Sequence, residues 1–326
     1  MKKKGIELTL CLALFAALAL GSGSSGDKEI DKEIASVEGS DSEEEKTEET
    51  KKSSDTKEDN KEETVNKSDE PSGTKSDNTQ SVTVDEMVVV DQDSIKVTIK
   101  GMGEDFWGPQ LKLLIENNSD QSLVFQVRDA SVNGFMTDTM ISEDVAPGKK
   151  ANSDITFSAG ALEECGITTF AEMEFKFHIF TSDKWDTYLD TDVIRVETSA
   201  YGSHEQTIDD SGEVFYDKDG IKIIGKGIST EDSIFGPGLI MYIENNSGKD
   251  FTVQARDTSI NGFLMDPIMS TDVIDGKKAI TALTFMSSEL EENGITDITS
   301  VETSFHVFES NGWDTIVDTE PITINF

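Results

Sequence analysis

The second half of this chain repeats the first half. The sequence Ile-Glu-Asn-Asn-Ser at 115–119 returns at 243–247, and Trp-Asp-Thr at 185–187 returns at 313–315. Both pairs are separated by 128 positions, so no net insertion lies between these motifs. Each copy has about 115 residues, enough for a domain to bury its own core without disulfides or metal. We therefore expect two copies of one module, and the residues kept in both copies are those that the module needs.

The N-terminus has the pattern of an export signal. Lys2, Lys3 and Lys4 precede an apolar stretch at 8–20, which is short for a membrane-spanning helix. A Gly/Ser run follows it, as in bacterial lipoprotein leaders, but Ser22 stands where such leaders have the lipidated Cys. The sequence predicts a leader at 1–26 and an extracytoplasmic location, with membrane contact only through this leader if it is retained.

The segment at 27–82 is rich in Glu, Lys, Ser, Asp and Thr and has no aromatic residue. Such a segment cannot bury enough apolar surface to offset its chain entropy. It is predicted to be a disordered acidic linker between the leader and the repeats.

The chain is strongly acidic, with 65 acidic residues against 28 basic ones and a formal net charge of -37. Nucleic-acid binding depends on Lys and Arg that neutralise phosphates, so nucleic acid is excluded as an expected partner. The chain has two cysteines, Cys11 in the leader and Cys165, whose counterpart in the second copy is Asn293. A thiol present in only one copy is not expected to serve a shared activity.

Both copies show period-two alternation with frequent turn signals, which is typical of short β-strands. Alternation is clear at 95–100 and 175–179, and Asn133-Gly134 with its counterpart at 261–262 predicts tight turns. A capping box at Ser288 and Glu291 predicts one short helix near the end of the second copy. The expected fold is all-β: two tandem immunoglobulin-like β-sandwich domains at 83–198 and 213–326, each with one short helix, joined by a connector at 199–212.

These motifs together resemble a known class of repeats. The pattern runs from Glu-Asn-Asn-Ser through Ser-x-Asn-Gly-Phe and Gly-Lys-Lys to Phe-His-x-Phe and Trp-Asp-Thr. It is similar to repeats of unknown function in extracytoplasmic proteins of Gram-positive bacteria. More distantly it resembles the immunoglobulin-like domains of bacterial lipoproteins, which include a secreted mycobacterial antigen. The resemblance implies a sandwich fold and a location outside the cytoplasm, on the surface of a Gram-positive-type bacterium or secreted from it, and it implies no catalytic residues.

Two kinds of polar residue recur in both copies. His178 and His306 alternate with phenylalanines on a predicted strand, which favours a structural or surface role. Arg128 and Arg256 each precede an Asp, which indicates either an ion pair that fixes the strand or recognition of an anionic group.

The acidic residues near the last predicted hairpin are weak calcium candidates. Asp186 and Asp190 correspond to Asp314 and Asp318, but neither copy has the Asp-x-Asp-x-Asp-Gly loop of a calcium site. We expect no metal and no cofactor.

The clearest candidate binding surface is apolar and follows the two Asn-Gly turns. Loops rich in Phe, Met and Leu either cover one end of the core or contact a partner or the sister module. The residues concerned are Phe135, Met136 and Met140 in the first copy and Phe263, Leu264 and Met269 in the second.

The chain has none of the short catalytic motifs for nucleophilic or zinc chemistry. We therefore expect a non-catalytic tandem binding or display protein, secreted or in the cell envelope, whose partner is an envelope or extracellular protein or glycan. The alternative is an extracytoplasmic enzyme, or an enzyme inhibitor, with a site built from distant loops.

Overall fold

The computed structural model of this protein describes residues 82–229 and 235–326. The expected leader at 1–26 and the linker at 27–82, except for its last residue, lie outside the described residues. All described residues belong to one compact unit. Among them no helix is long and apolar enough to cross a membrane.

The prediction of an all-β protein is confirmed. In the described part of the chain, α1 (Ala159–Glu164) and α2 (Ser287–Glu292) are the two short helices. The strands of the first repeat are β1 (Met87–Gln92), β2 (Ile95–Glu104), β3 (Pro109–Asn117), β4 (Leu123–Val132), β5 (Phe135–Met136), β6 (Thr139–Met140), β7 (Glu143–Val145), β8 (Lys149–Phe157), β9 (Glu172–Thr181), β10 (Thr187–Asp190) and β11 (Ile194–Glu197). Those of the second repeat are β12 (Glu213–Lys218), β13 (Ile221–Ile228), β14 (Gly238–Asn245), β15 (Phe251–Ile260), β16 (Phe263–Leu264), β17 (Ser270–Val273), β18 (Lys278–Thr284), β19 (Ser300–Glu309), β20 (Thr315–Asp318) and β21 (Ile322–Asn325).

The first repeat packs two sheets around one core. One sheet has the order β1-β2-β3-β8-β6, and β9 pairs with β4, β10 and β11 in the other. Side chains from both sheets meet in the core because alternate residues of each strand point inward. On β9 these inward residues are Phe175, Phe177 and Ile179, all fully buried, as the alternation at 175–179 predicts.

The second repeat is built in the same way. Strands β12, β13, β14 and β18 are neighbours in one sheet, and β19 pairs with β15, β20 and β21 in the other. Its core is a separate cluster that includes Phe251, Phe285 and Phe305. The fold of each repeat therefore places one hairpin, β9–β10 or β19–β20, at the same position of the module.

Local chemistry explains the turns and one of the two helix starts. Asn133 and Gly134 have φ values of 50° and 84°, and their counterparts Asn261 and Gly262 have 51° and 84°, so both copies form the predicted tight turn. The Ser158 side chain accepts a hydrogen bond from the backbone of Ala161 and starts α1.

The predicted capping box at Ser288 and Glu291 is wrong. Helix α2 begins at Ser287, so Ser288 lies inside the first turn. The residue that precedes the helix, Met286, makes no side-chain capping bond. The stop signal at the other end is correct, because Gly294 has the positive φ of 66° that suits the residue after a helix.

The two repeats share one sheet. The turn after β4 brings β5 beside β18, where Phe135 pairs with Lys278 and the Lys278 N–H donates to the Gly134 carbonyl over 2.9 Å. This bridge makes a ten-stranded sheet that runs from β10 in the first repeat to β12 in the second. The contact between the repeats is thus made partly by backbone atoms, and it needs both repeats to form.

Apolar side chains of the second repeat complete the contact. Ile224 and Tyr242 are almost fully buried and belong to the core cluster of the first repeat, and Ile280 packs against the same cluster. These three residues are cross-strand neighbours on the outer face of the β13-β14-β18 sheet. Burial, together with the hydrogen bond to Glu244, raises the pKa of Tyr242, so the phenol stays neutral in this contact.

An ion pair crosses the contact. The Lys277 ammonium binds the Glu174 carboxylate, and both side chains are largely buried. Burial opposes the charge of Glu174, but the hydrogen bonds from Lys277 and Glu172 outweigh it and hold the pKa of Glu174 below its ordinary value. Burial and the hydrogen bond to Glu174 raise the pKa of Glu172, which also contacts Arg195 over 2.5 Å.

The connector at 199–212 is held by both repeats. Asn133 donates to the Gln206 side chain over 3.0 Å, which ties the connector to the first repeat. Lys226 binds Asp209 over 2.9 Å, which ties it to the second. The connector therefore adds to the contact that the shared sheet makes.

Candidate functional site

The hairpin between β9 and β10 places a tryptophan in a strained backbone conformation. Trp185 has φ of 62°, and its N–H donates to the Thr181 carbonyl over 2.9 Å. The Thr181 N–H in turn donates to the Asp186 carbonyl. A left-handed conformation costs a bulky residue on the order of 1–3 kcal/mol, because its Cβ atom clashes with the backbone. Gly or Asn occupies this position with less strain. Such strain persists only where the surroundings hold it, and it is concentrated at functional sites.

The indole of Trp185 forms the outer end of an aromatic stack. It lies over Phe180 with ring centroids 5.3 Å apart and planes 17° apart, and Phe180 contacts the His178 ring at 5.2 Å. Phe180 is buried, whereas Trp185 is 73% exposed. The stack fixes the indole flat on the surface and leaves its outer face open to solvent.

The second repeat carries the same stack. Trp313 has φ of 61° and is 74% exposed, and it lies over Phe308 with centroids 5.4 Å apart and planes 11° apart. Phe308 stacks on His306 at 5.1 Å. Both copies of the module thus hold an exposed indole in a similarly strained backbone conformation. We call each exposed indole, stacked on its buried phenylalanine, a platform, and these two platforms are the candidate functional site.

Sequence reasoning missed this site. Asn311-Gly312, a pair typical of hairpin turns, lies in the β19–β20 hairpin, but the left-handed residue in that hairpin is Trp313. The available signal was the Trp-Asp-Thr motif, which is kept in both copies. The turns and the core of the module do not require an exposed tryptophan. An exposed tryptophan that both copies keep is therefore a candidate for a shared functional role.

The two histidines anchor the inner end of each stack. The Nδ1 atom of His178 lies 2.5 Å from a carboxylate oxygen of Asp190, and that of His306 lies 2.6 Å from Asp318. Each hydrogen bond orients its imidazole ring against the neighbouring phenylalanine. The histidines are therefore positioning residues for the platforms.

The acidic residues proposed as calcium candidates do not converge in either hairpin. Asp190 and Asp318 face the histidines, whereas Asp186 and Asp314 accept backbone bonds through their carbonyls in the turns. Among the described residues no three His, Cys, Asp or Glu side chains are grouped so that they could hold a metal ion.

The apolar loop of the first repeat lies against the second repeat. Phe135 is only 2% exposed, and Met136 packs against the core cluster of the second repeat. Met140 is half-buried in β6, which pairs with β8. This loop both closes its own core and contacts the sister module.

The corresponding loop of the second repeat is open. Phe263 is 46% exposed and Leu264 is 76% exposed, although the Asn-Gly turn before them has the same backbone angles as in the first repeat. Met269 is half-buried against its own core. The difference between the two loops is that the first has a sister module to cover it.

Among the described residues, neither arginine forms the expected ion pair that would fix its strand to a neighbouring loop. Arg128 is exposed, and Asp129 binds Lys176 over 2.8 Å, with the hydrogen bond to Asp129 raising the pKa of that lysine. Arg256 donates to Gln254 over 2.8 Å. Each Arg-Asp pair lies at a β-bulge where the Asp adopts positive φ, so the bulge turns the Asp side chain away from its own arginine.

Cys165 lies at the end of α1 and faces the second repeat. It is buried, and burial raises the pKa of its thiol to about 12 despite a backbone hydrogen bond to Ile280. A neutral, buried thiol is a poor nucleophile. The residue acts as a small apolar side chain in the contact between repeats.

No family model matches this chain, and none of the curated proteins matches its sequence significantly.

Proposed function

We propose that this chain is an extracytoplasmic, non-catalytic binding and display protein, made of two tandem immunoglobulin-like modules, that binds neutral glycans through Trp185 and Trp313. The observation that carries the proposal is the duplicated platform: an exposed indole, stacked on a buried phenylalanine and held at positive φ, in each repeat.

The size of each platform favours a sugar ring over a protein surface. Specific protein interfaces bury about 800 Å² on each partner around an apolar centre. Each indole here stands among exposed polar residues, with Asp183, Lys184 and Asp186 beside Trp185. One flat apolar ring with a polar rim suits a pyranose, which presents an apolar face of C–H groups and a rim of hydroxyls.

The charge of the chain selects among glycans. With a formal net charge of -37, the protein repels anionic polymers, and the platforms themselves are flanked by carboxylates. Carboxylates accept hydrogen bonds from the hydroxyls of a neutral sugar without this repulsion. Neutral glycans are therefore the ligand class that the platforms fit best.

Duplication of the platform suits a polymeric ligand. A single exposed stacking contact is weak, but two contacts on one chain raise the effective concentration for the second contact. The shared sheet holds the two repeats together, so a polymer long enough to reach both platforms would bind the second one at little extra ordering cost. In this proposal the leader exports the chain and the acidic linker separates the modules from the cell surface.

The arrangement of strands supports the immunoglobulin-like part of the proposal. Each repeat has two facing antiparallel sheets and one short helix; in the first repeat β1–β3 and β8 lie in one sheet, and β4 and β9–β11 lie in the other. This is the architecture of sandwiches that display binding residues on hairpins at one end.

Binding to a panel of neutral and anionic polysaccharides, measured by affinity electrophoresis, tests the proposal. We expect retardation in at least one neutral glycan gel, weakened about tenfold by Trp185→Ala or Trp313→Ala and abolished by the double variant. Trp107→Ala is the matched control, because Trp107 is an exposed tryptophan without a left-handed backbone and without a Trp counterpart in the second repeat.

Two results would contradict the proposal. Retardation that the double variant leaves unchanged would remove the platforms from the binding site. Release of new reducing ends from a bound glycan by the purified chain would replace the binding function with the enzymatic alternative.

A further inference from the structure

The contact between the repeats has two different sides, and each repeat carries a version of both. The first repeat contributes the Asn-Gly turn with Gly134 and Phe135, and the second contributes the edge of its sheet at Lys278. The second repeat therefore still has its own turn, at 261–264. The first repeat still has its own sheet edge, at Lys150, which is the counterpart of Lys278.

Both leftover surfaces are accessible. Gly262, Phe263 and Leu264 are exposed, and so are Lys149 and Lys150 at the start of β8. In the described part of the chain, β8 pairs with β3 on one side and with β6, at Thr156 and Phe157, on the other. The far side of Lys150, where Lys278 receives β5 in the second repeat, pairs with no described strand.

We propose that copies of this chain associate head to tail, with the turn at 261–264 of one copy docking on the sheet edge at Lys150 of the next. The occupant of each surface is a second copy of this chain, because the contact inside one chain shows that a turn of this backbone shape docks on the equivalent sheet edge of the sister module. In the new contact Phe263 takes the position of Phe135, and the Gly262 carbonyl accepts from the Lys150 N–H.

The charges needed for this contact are present. The internal ion pair between Glu174 and Lys277 has Glu302 and Lys149 as its counterparts, and both are exposed. They would meet when the second repeat of one copy lies on the first repeat of the next. Complementary charges at the rim orient an encounter and fix its register.

The proposed contact between copies has fewer apolar residues than the internal contact, and the replacements occur on both of its sides. The internal contact joins Cys165 to Ile280, and the counterparts of these residues are Asn293 and Asn152, both exposed. Two amides that meet can satisfy each other by hydrogen bonds, whereas one amide opposite an apolar residue would be left unpaired.

The rest of the sheet face is also less apolar. Thr98, which is already buried within the first repeat, and the half-buried Leu114 replace Ile224 and Tyr242 in the same cross-strand register. The contact between copies is therefore a weaker and wetter form of the internal one, suited to reversible association.

The geometry of the contact determines the kind of assembly. The turn and the sheet edge are different surfaces, so the contact is heterologous, and every added copy leaves one free turn and one free edge. Assemblies that form through this contact grow longer as the protein concentration rises, and they do not stop at a two-fold dimer.

Sedimentation velocity of the full-length chain, at concentrations up to about 0.5 mM, detects such weak association. We expect the weight-average mass to rise continuously with concentration. Leu264→Asp should weaken association about tenfold or more. Val193→Asp is the matched control, because it adds the same charge at another exposed apolar residue and should leave association unchanged.

Charge reversal tests the register. Glu302→Lys and Lys149→Glu should each weaken association, because each alone sets two like charges against each other. The chain that carries both changes should regain association, since opposite charges then face each other again with their signs exchanged. A chain that stays monomeric over the whole concentration range overturns the proposal. So does association that stops at a dimer, that survives Leu264→Asp, or that the double reversal fails to restore.

Discussion

The Lys277 ammonium of the second repeat binds the Glu174 carboxylate of the first, and this pair is largely buried where the two repeats meet. Around it Ile224, Tyr242 and Ile280 extend the core of the first repeat. The two modules are therefore coupled through a charge as well as through apolar area, and pH should act on that coupling.

Acid should weaken the coupling through Glu174. Because the pKa of Glu174 in the folded chain lies below its ordinary value of 4.5, its contribution to stability is present above 4.5 and is lost as the pH falls through the folded-state value. Glu172 acts in the opposite sense, since its pKa is raised and its contribution is lost as the pH rises through its folded-state value. Urea denaturation between about pH 7 and pH 3 should therefore show the stability difference between wild type and Glu174→Gln shrinking toward acid. A difference that stays constant across this range would contradict the charged role of Glu174.

The two Asn-Gly loops give a matched pair of substitutions. Phe135→Ser removes a buried ring and should lower the free energy of unfolding by about 3–5 kcal/mol, because it opens a cavity at the contact between repeats. Phe263→Ser, the same chemical change 128 positions later, should stay within about 0.5 kcal/mol of wild type because the ring is exposed. Denaturant unfolding of dilute protein measures both. Equal effects at the two positions would mean that the first loop is not covered by the second repeat.

Trp185 should reverse the usual order of glycine and alanine. At its positive φ, Trp185→Gly removes backbone strain that Trp185→Ala retains, so the Gly variant should be more stable than the Ala variant by about 1 kcal/mol. At Thr187, in the adjacent strand, Gly should instead be less stable than Ala by about 0.5–1 kcal/mol. The same reversal is expected at Trp313. An Ala variant as stable as the Gly variant would show that the hairpin relaxes once the indole is gone.

Cys165 should report opening of the contact between repeats. In a Cys11→Ser chain its buried, neutral thiol should react with a disulfide reagent about 100-fold more slowly than in the unfolded chain, at about pH 8. The matched control is Asn293→Cys combined with Cys165→Ser, which places a thiol at the exposed counterpart and should react rapidly. Rapid reaction of native Cys165 would contradict the closed contact.

The elements that could be predicted from sequence are those fixed by local chemistry. Alternation at 175–179 predicted a half-buried strand, and Asn133-Gly134 and its counterpart predicted tight turns, because side-chain period and positive φ are local requirements. The capping box failed because Ser288 and Glu291 had the right spacing, but the helix starts two residues earlier than a Ser288 cap requires, at Ser287 instead of Glu289.

The candidate site and the contact between repeats could not be predicted from either copy alone. Hairpin chemistry leads one to expect Gly or Asn at the left-handed position, so nothing local indicates an indole there. The contact did leave a signal in the comparison of the copies: Ile224, Tyr242 and Ile280 replace Thr98, Leu114 and Asn152 on the outer face of one sheet. Reading that difference requires strand register, which depends on tertiary structure.

The placement of the aromatic residues also determines what intrinsic fluorescence can report. The three tryptophans of the chain, Trp107, Trp185 and Trp313, are all exposed, whereas the two cores contain only other side chains. Unfolding moves no indole out of an apolar interior, so the emission maximum should change little when the chain denatures. A ligand that covers a platform removes water from the indole face and should shift the emission to shorter wavelength. In this protein tryptophan emission should therefore report ligand binding at the platforms and change little on unfolding.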